Sequence, residues 1–336
     1  MSPMKWIHVI QFIGFLCSQI TNSILFYLVV TKTKKLLGQY RYVMAVFSIS
    51  SVFWAWVELI TMPIMHIKGP VFIVYMDSPL KYEKWIGFEI TCLYCGTFSL
   101  IITLLAAQFF YRYLAMCKSE LLPKIEGSGL ILIFIPCIAF FILWFEFVYW
   151  GMKNTSEKIE YMREELKTYY DEDSANISFI APMYWSIGDN GEKIWRIGDI
   201  MSSVGCASII FTCVSCILFC AINIYCSLKS QQKYMSSKTL ELNRQIFITL
   251  VFQTILPFFL MYCPVGLLIT LPILDVYVAN YANLTSVTAA IYPCIEPVIA
   301  IICIGELRRR FIFCNKRKNA QVISSIQQLS ASKHVS

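Results

Sequence analysis

Apolar residues gather in seven long stretches, at 6–30, 43–67, 86–111, 129–150, 200–228, 245–272 and 280–304, and most charged positions fall between them. Each stretch reaches about 20 residues or more, the length that a helix rising about 1.5 Å per residue needs to cross a hydrocarbon core of about 30 Å. Water cannot satisfy a backbone inside lipid, so each stretch is predicted to close its own hydrogen bonds as a helix. The pattern predicts an all-α membrane protein with a seven-helix transmembrane domain over 1–305. Seven is odd, so the termini are expected on opposite sides of the bilayer.

Composition sharpens this picture. Only 15% of the 336 residues are charged and 57% are hydrophobic, with a mean hydropathy of +0.62; a soluble chain carries about a quarter charged residues. The segments 31–42, 112–128 and 229–244 and the tail from Gly305 together hold eighteen Lys/Arg and four acids, whereas those on the other side hold ten Lys/Arg and twelve acids. Excess Lys/Arg marks the cytoplasmic side. A multi-pass protein of the plasma membrane is predicted, N-terminus outside and C-terminus cytoplasmic. The sequons at Asn154 and Asn176 fall in the loop 151–198, which this orientation places outside. A third, at Asn283, sits at a helix mouth. The first stretch is longer than a signal-peptide core and few positive charges precede it, so it is expected to remain as a span.

Fourteen cysteines suggest a framework, but twelve fall inside apolar stretches, where Cys behaves as a small hydrophobe, and the outer loop has none. Cys92-x-x-Cys95 and Cys213-x-x-Cys216 lack a completing His or acid, so no metal and no cofactor are expected. The only histidines are His8, His66 and His334, too few for an intramembrane hydrolase, and no enzyme is expected.

The cytoplasmic helix ends carry the candidate switch. The third stretch finishes Tyr111-Arg112-Tyr113-Leu114-Ala115. Rhodopsin-like receptors carry Asp-Arg-Tyr at this place; here Tyr111 replaces the acid. One reading makes Arg112 a coupling residue, the other an interfacial arginine snorkelling between aromatic anchors. The seventh stretch holds Tyr292-Pro293-Cys294-Ile295-Glu296-Pro297. Two prolines four apart remove two backbone donors. Glu296 between them is an intramembrane acid that needs a partner, as part of a switch or as a structural hydrogen bond. Pro264 is expected to bend the sixth stretch, opening a cavity and a pivot.

The ligand side is read from the outer loop. Asn154-x-x-Glu157 begins a helical pattern with Ile159, Met162, Leu166 and Tyr169 on one face. Ile177, Phe179, Ile180, Tyr184 and Trp185 follow as a candidate lid. Tyr262, Glu89, Tyr184 and Trp185 are the candidate ligand contacts, with Glu58 and Glu146 as further acids in outer halves; interfacial solvation is the other reading of these acids, and the favoured one for Glu89 and Glu146.

Several motifs carry a resemblance over most of the chain. Asn22, Gly38-Gln39-Tyr40-Arg41-Tyr42-Val43-Met44, Tyr111-Arg112-Tyr113-Leu114-Ala115, Met261-Tyr262-Cys263-Pro264-Val265-Gly266 and Tyr292-Pro293 through Glu296-Pro297 occur in order. Together they resemble the str family of nematode seven-helix chemoreceptors. Members commonly carry Asp where Glu296 stands. The resemblance implies a bundle of the G-protein-coupled receptor type and an odorant or chemosensory receptor on sensory cilia, with a small-molecule ligand and a heterotrimeric G protein as partners. It implies no nucleic-acid partner.

The tail fits such a receptor. Leu307, Phe311 and Cys314 share one face of a short amphipathic helix at 306–318, expected to lie on membrane lipid with Cys314 placed for palmitoylation. A plain stop-transfer charge cluster is the other reading of its arginines. Residues 319–336 are polar and Ser-rich, an expected disordered tail. A ligand-gated channel and a small-solute transporter are the alternative functions. No stretch carries a row of pore-lining charges, and no internal repeat is visible.

Overall fold

The computed structural model describes residues 3–188, 190–230 and 235–312. Seven helices long and apolar enough to cross a membrane run Lys5–Lys32, Tyr40–Thr61, Lys84–Cys117, Gly127–Gly151, Ile197–Ser230, Ser237–Leu274 and Asn280–Cys303. They form a seven-transmembrane bundle of the G-protein-coupled receptor type. The third span is the axis, packed against the second, fourth, fifth and sixth, while the first span packs on the second and seventh. Small residues allow the closest approaches. A Cβ on Gly14 would meet the Ala290 carbonyl oxygen at 2.5 Å, and one on Gly205 would meet the Phe147 ring at 2.6 Å.

The second helix stops at Thr61, short of the expected Ile67. Met62 turns left-handed at φ 45° and its N–H closes on the Glu58 carbonyl. The apolar run then continues as strand β1 (Pro63–Lys68), pairing antiparallel with β2 (Val71–Met76), which pairs with β3 (Phe179–Ile180). Gly69 takes φ +51° at the first position of the two-residue β1–β2 turn, a conformation that favours glycine. Side chains alternate across a strand. Met65, Ile67, Phe72, Val74 and Ile180 face the bundle, while Ile64, Ile73, Tyr75 and Phe179 face a helix from the loop 151–198. That helix spans Ser156–Tyr170. Its cap is Thr155, whose hydroxyl accepts the Lys158 N–H, one residue later than the expected Asn154. Met162 and Leu166 are buried as expected, Tyr169 is exposed, and Lys158 is buried on the same side.

A second hairpin, β4 (Trp185–Ile187) with β5 (Lys193–Trp195), leads into the fifth span. Every described cysteine is a free thiol, so hydrogen bonds, packing and ion pairs hold this end closed. At the opposite end a helix at 305–312 follows the seventh span, with the Gly305 N–H donated to Gln245 Oε1 at 2.9 Å. Leu307 is buried and Phe311 exposed. Cys314, the rest of the expected 306–318 helix and the polar tail lie outside the described residues.

Candidate functional site

Under the three-stranded sheet lies a cavity of about 680 Å³. Its roof is Met65, Phe72, Val74, Ile180 and Pro182. Its walls are Tyr94, Cys95 and Phe98 of the third span, Trp144 and Val148 of the fourth, Cys206 of the fifth, Val265 and Ile269 of the sixth, and Thr285 and Ala289 of the seventh. None of these carries a charge. Burying a charged group without a partner is costly, so the lining is matched to uncharged, largely apolar matter.

The sequence-derived ligand candidates surround this cavity rather than line it. Tyr262 is buried and packs its ring edge-on against Phe98 at 5.4 Å. Tyr184 is buried and donates its hydroxyl to Ser203 Oγ at 3.1 Å. Trp185 lies beyond the lid, beside a separate groove of about 1190 Å³ with Tyr161, Glu157 and Asp275. Glu89 is half-buried. Of the roof, Ile180 belongs to the candidate lid; Met65, Phe72 and Val74 of the sheet, and Pro182 beyond it, are lining residues that the sequence did not single out.

The opposite end holds the second cluster. Arg112 is buried in the third span and donates to Asn243 Oδ1 of the sixth at 2.5 Å. Its guanidinium lies 5.1 Å from the Tyr40 ring, which stacks on Tyr111 at 5.7 Å. The Tyr40 hydroxyl donates to Gln108 Oε1 at 3.2 Å. Arg112 thus rests among aromatic faces and a neutral amide, not against a carboxylate. Tyr113 is half-buried against Phe219 of the fifth span. Glu296 is also buried and accepts a hydrogen bond from Gln253 Nε2 of the sixth span. The Arg112 guanidinium and the Glu296 carboxyl are therefore both held by amides ten residues apart on one helix.

The prolines explain how that helix is coupled to its neighbour. Pro297 has no N–H for the carbonyl four residues back. That carbonyl, Pro293 O, accepts Asn22 Nδ2 of the first span at 2.9 Å. Pro264 likewise frees the Leu260 carbonyl, which accepts the Thr288 hydroxyl of the seventh span at 2.5 Å. The helix widens into a π turn at Phe258–Tyr262, just below Pro264. Tyr292 packs against Trp54 at 6.0 Å between centroids. Asn243, Gln253 and Thr288 were missed in the sequence; the one signal for Gln253 was an amide inside an apolar run.

Polar contacts between the loop helix and the sheet tie the roof to the seventh span. His66 is fully buried, with Nε2 3.1 Å from Glu165 Oε1 and Nδ1 3.0 Å from the Tyr170 hydroxyl. Asn283 donates to that hydroxyl at 3.1 Å and accepts the Met65 N–H at 2.8 Å. Asn283 is buried, so its sequon is closed in the folded state, whereas Asn176 is exposed and Asn154 half-buried.

The chain is similar to known receptors along most of its length. It is 28% identical over 313 residues to the Caenorhabditis briggsae protein named Serpentine receptor class r-10, covering 92% of this chain and 90% of that one. It is 29% identical over 330 residues to the Caenorhabditis elegans protein of the same name, covering 95% of each. To the Caenorhabditis elegans G-protein coupled receptor str-33 it is 25% identical over 314 residues, 92% of this chain and 91% of that protein. The family model for the serpentine type 7TM GPCR chemoreceptor Str matches residues 7–312, and with the seven-span bundle above this makes the chain a member of that family.

Proposed function

We propose that the protein is a chemosensory receptor of the plasma membrane on a sensory cilium, with its N-terminus and sheet outside and its tail cytoplasmic. It binds a small, uncharged, largely apolar molecule in the cavity under the sheet and activates a heterotrimeric G protein at the Arg112 end. The supporting observation is that one helix serves both places. The sixth span supplies Val265 and Ile269 to the cavity and, past its π turn, Gln253 to the Glu296 carboxyl and Asn243 to Arg112.

A ligand shifts the equilibrium only by binding one bundle state better than the other. Filling the cavity against Val265 and Ile269 favours a displaced sixth span. Its inner half then withdraws both amides, and Arg112 becomes available to an acidic partner surface. In this orientation Asn176 and Asn154 are the glycan acceptors.

Ligand screening in cells that express the receptor with a G-protein sensor tests this reading, with Arg112→Ala beside the unaltered chain. The variant is expected at the surface with its ligand-evoked signal abolished. A well-expressed variant that signals normally removes Arg112 from the mechanism. A ligand-evoked current in cells lacking G protein replaces the reading with a channel.

A further inference from the structure

We infer that the β4–β5 hairpin is a lipid-engaging strap: its Ile194 and Trp195 insert into the interfacial layer of the leaflet at the sheet end and thereby hold the cavity roof. Both are solvent-open in the bare protein, at 49% and 51% exposure, and contiguous exposed apolar side chains mark protein or membrane contacts. They do not form one face. In the β4–β5 register Ile187 stands opposite Lys193 and Trp195 opposite Trp185, while Ile194 stands opposite Ser186 on the other side. Strand β4 borders the groove that Glu157, Glu160 and Asp275 line, which leaves Ile194 and Trp195 of β5 as the apolar residues turned to the surrounding medium.

Position says which medium. The hairpin runs through Arg196 into the fifth span, whose first turns expose Ile197 and Met201 on the lipid-facing surface. Ile197 stands nine residues before Cys206 and Trp85 ten before Cys95, and both cysteines line the cavity. At about 1.5 Å per residue the first turns of the third and fifth spans are therefore level. Exposed Trp85 begins the third span, and exposed Trp6, Trp150 and Tyr281 mark the same end of the first, fourth and seventh spans. Tryptophan and tyrosine concentrate where headgroups meet acyl chains. Trp195 continues that ring of aromatics from outside the helices, and Lys193, its ammonium 3.8 Å from the centre of the Trp185 ring, supplies a cation at the same level.

The hairpin is also tied to the roof. The Arg196 N–H bonds the Tyr184 carbonyl at 2.9 Å, the Tyr184 N–H bonds the Pro70 carbonyl at 3.1 Å, and Met183 bridges to Val71 of β2. Lipid held at Trp195 is two hydrogen bonds from the β1–β2 turn.

The full chain in nanodiscs tests this, comparing it with Trp195→Phe and, as a control, Trp185→Phe. Tryptophan emission is quenched with phosphatidylcholines brominated near the glycerol end or deep in the chain, and separately with iodide, which stays in water. Expected is that Trp195→Phe removes emission sensitive to the shallow bromines and insensitive to iodide, while deep-bromine quenching is unchanged. If the emission lost with Trp195 is instead iodide-sensitive and untouched by bromines, the hairpin sits in water and the inference fails. If Trp195 is shielded from both bromines and iodide, protein covers it and the lipid strap is wrong. The result is independent of any ligand or G protein.

Discussion

Lys158 and Asp199 form an ion pair at 2.5 Å with both side chains buried, one on the loop helix and one in the first turn of the fifth span. The pair is fully used. Lys158 also donates to the Lys153 carbonyl, and the Asp199 carboxylate takes the Met183 N–H and Arg196 Nε. Burial pulls the Lys158 ammonium below the ordinary lysine range, and Asp199 pushes it back up. With every described cysteine free, this cluster does the tethering that a disulfide would do.

Removing one partner leaves a buried charge uncompensated, at a cost of about 3–5 kcal/mol, whereas replacing both with apolar groups of similar size is close to neutral. Asp199→Ala is expected to lower the thermal unfolding midpoint by several degrees in nanodiscs. Lys158→Met with Asp199→Leu is expected to recover most of the loss. An Asp199→Ala midpoint equal to that of the unaltered chain would show that the pair does not hold the loop.

The Arg112–Asn243 contact gives a second prediction. A hydrogen bond to a charged group contributes about 1.5–3 kcal/mol. Asn243→Leu withdraws it from the resting bundle alone, and about 1.4 kcal/mol shifts an equilibrium tenfold. Ligand-independent G-protein exchange is expected to rise about tenfold or more, while Asn243→Asp, which gives Arg112 a carboxylate, is expected to silence it. Equal basal exchange in all three proteins at matched surface levels would place the resting lock elsewhere.

The sequence displayed the bundle because spanning lipid demands long apolar runs that nothing else produces. It hid the roof for the same reason. Residues 63–67 continue the second apolar run with only Pro63 and His66 to mark a change, and β1 and β2 are buried on both faces, so the alternation that marks a half-exposed strand is absent. Arg112, Glu296 and the prolines were legible because a charge or a missing donor inside a membrane calls for explanation. Their partners were not. Asn243, Gln253, Asn22 and Thr288 are ordinary polar residues whose role comes from which helix faces which. Tyr184 and Trp185 read as part of the lid and as ligand contacts, but the strand register places them past the roof.

The cavity lining yields a third prediction. Ala289 and Val265 face the space from the seventh and sixth spans. Ala289→Phe is expected to occupy it, abolishing the ligand response while the Arg112 end keeps its basal exchange. Thr285→Val keeps the shape and deletes a hydroxyl. For ligands that bond it, the half-maximal concentration is expected to rise about fivefold, from about 1 kcal/mol per hydrogen bond. A full response from well-expressed Ala289→Phe would move the ligand out of this cavity.

Acidity supplies the last prediction. His66 faces Glu165, Lys68, Tyr169, Tyr170 and Tyr277, with Lys68 Nζ 3.6 Å from Glu165 Oε2 and the Tyr277 hydroxyl 2.6 Å from Glu165 Oε1. Burial, the largest influence, lowers the His66 pKa against the opposing pull of Glu165. Burial raises Glu165, but hydrogen bonds from Tyr277 and His66 outweigh it and leave its carboxyl below the usual value. A base held below its ordinary value of about 6.5 binds protons better when the fold is open, so its contribution is complete above about pH 6.5 and declines as pH falls through the window beneath. A depressed carboxylate keeps its contribution until pH approaches its ordinary value of about 4.3, so Glu165 acts in the same direction but later. In a His8→Gln background, which removes the histidine paired with Asp77 at 3.2 Å, the unfolding midpoint is expected to fall between pH 7.5 and 5.5. Adding His66→Gln is expected to flatten that slope. With Nε2–H on Glu165, the neutral ring accepts the Tyr170 hydroxyl proton at Nδ1; protonation puts a donor there, so that hydroxyl must turn its proton away while it also accepts from Asn283, which loosens the link from β1 to the seventh span and with it the roof over the cavity. A slope as steep in His66→Gln as in its parent would assign the acid sensitivity to other groups.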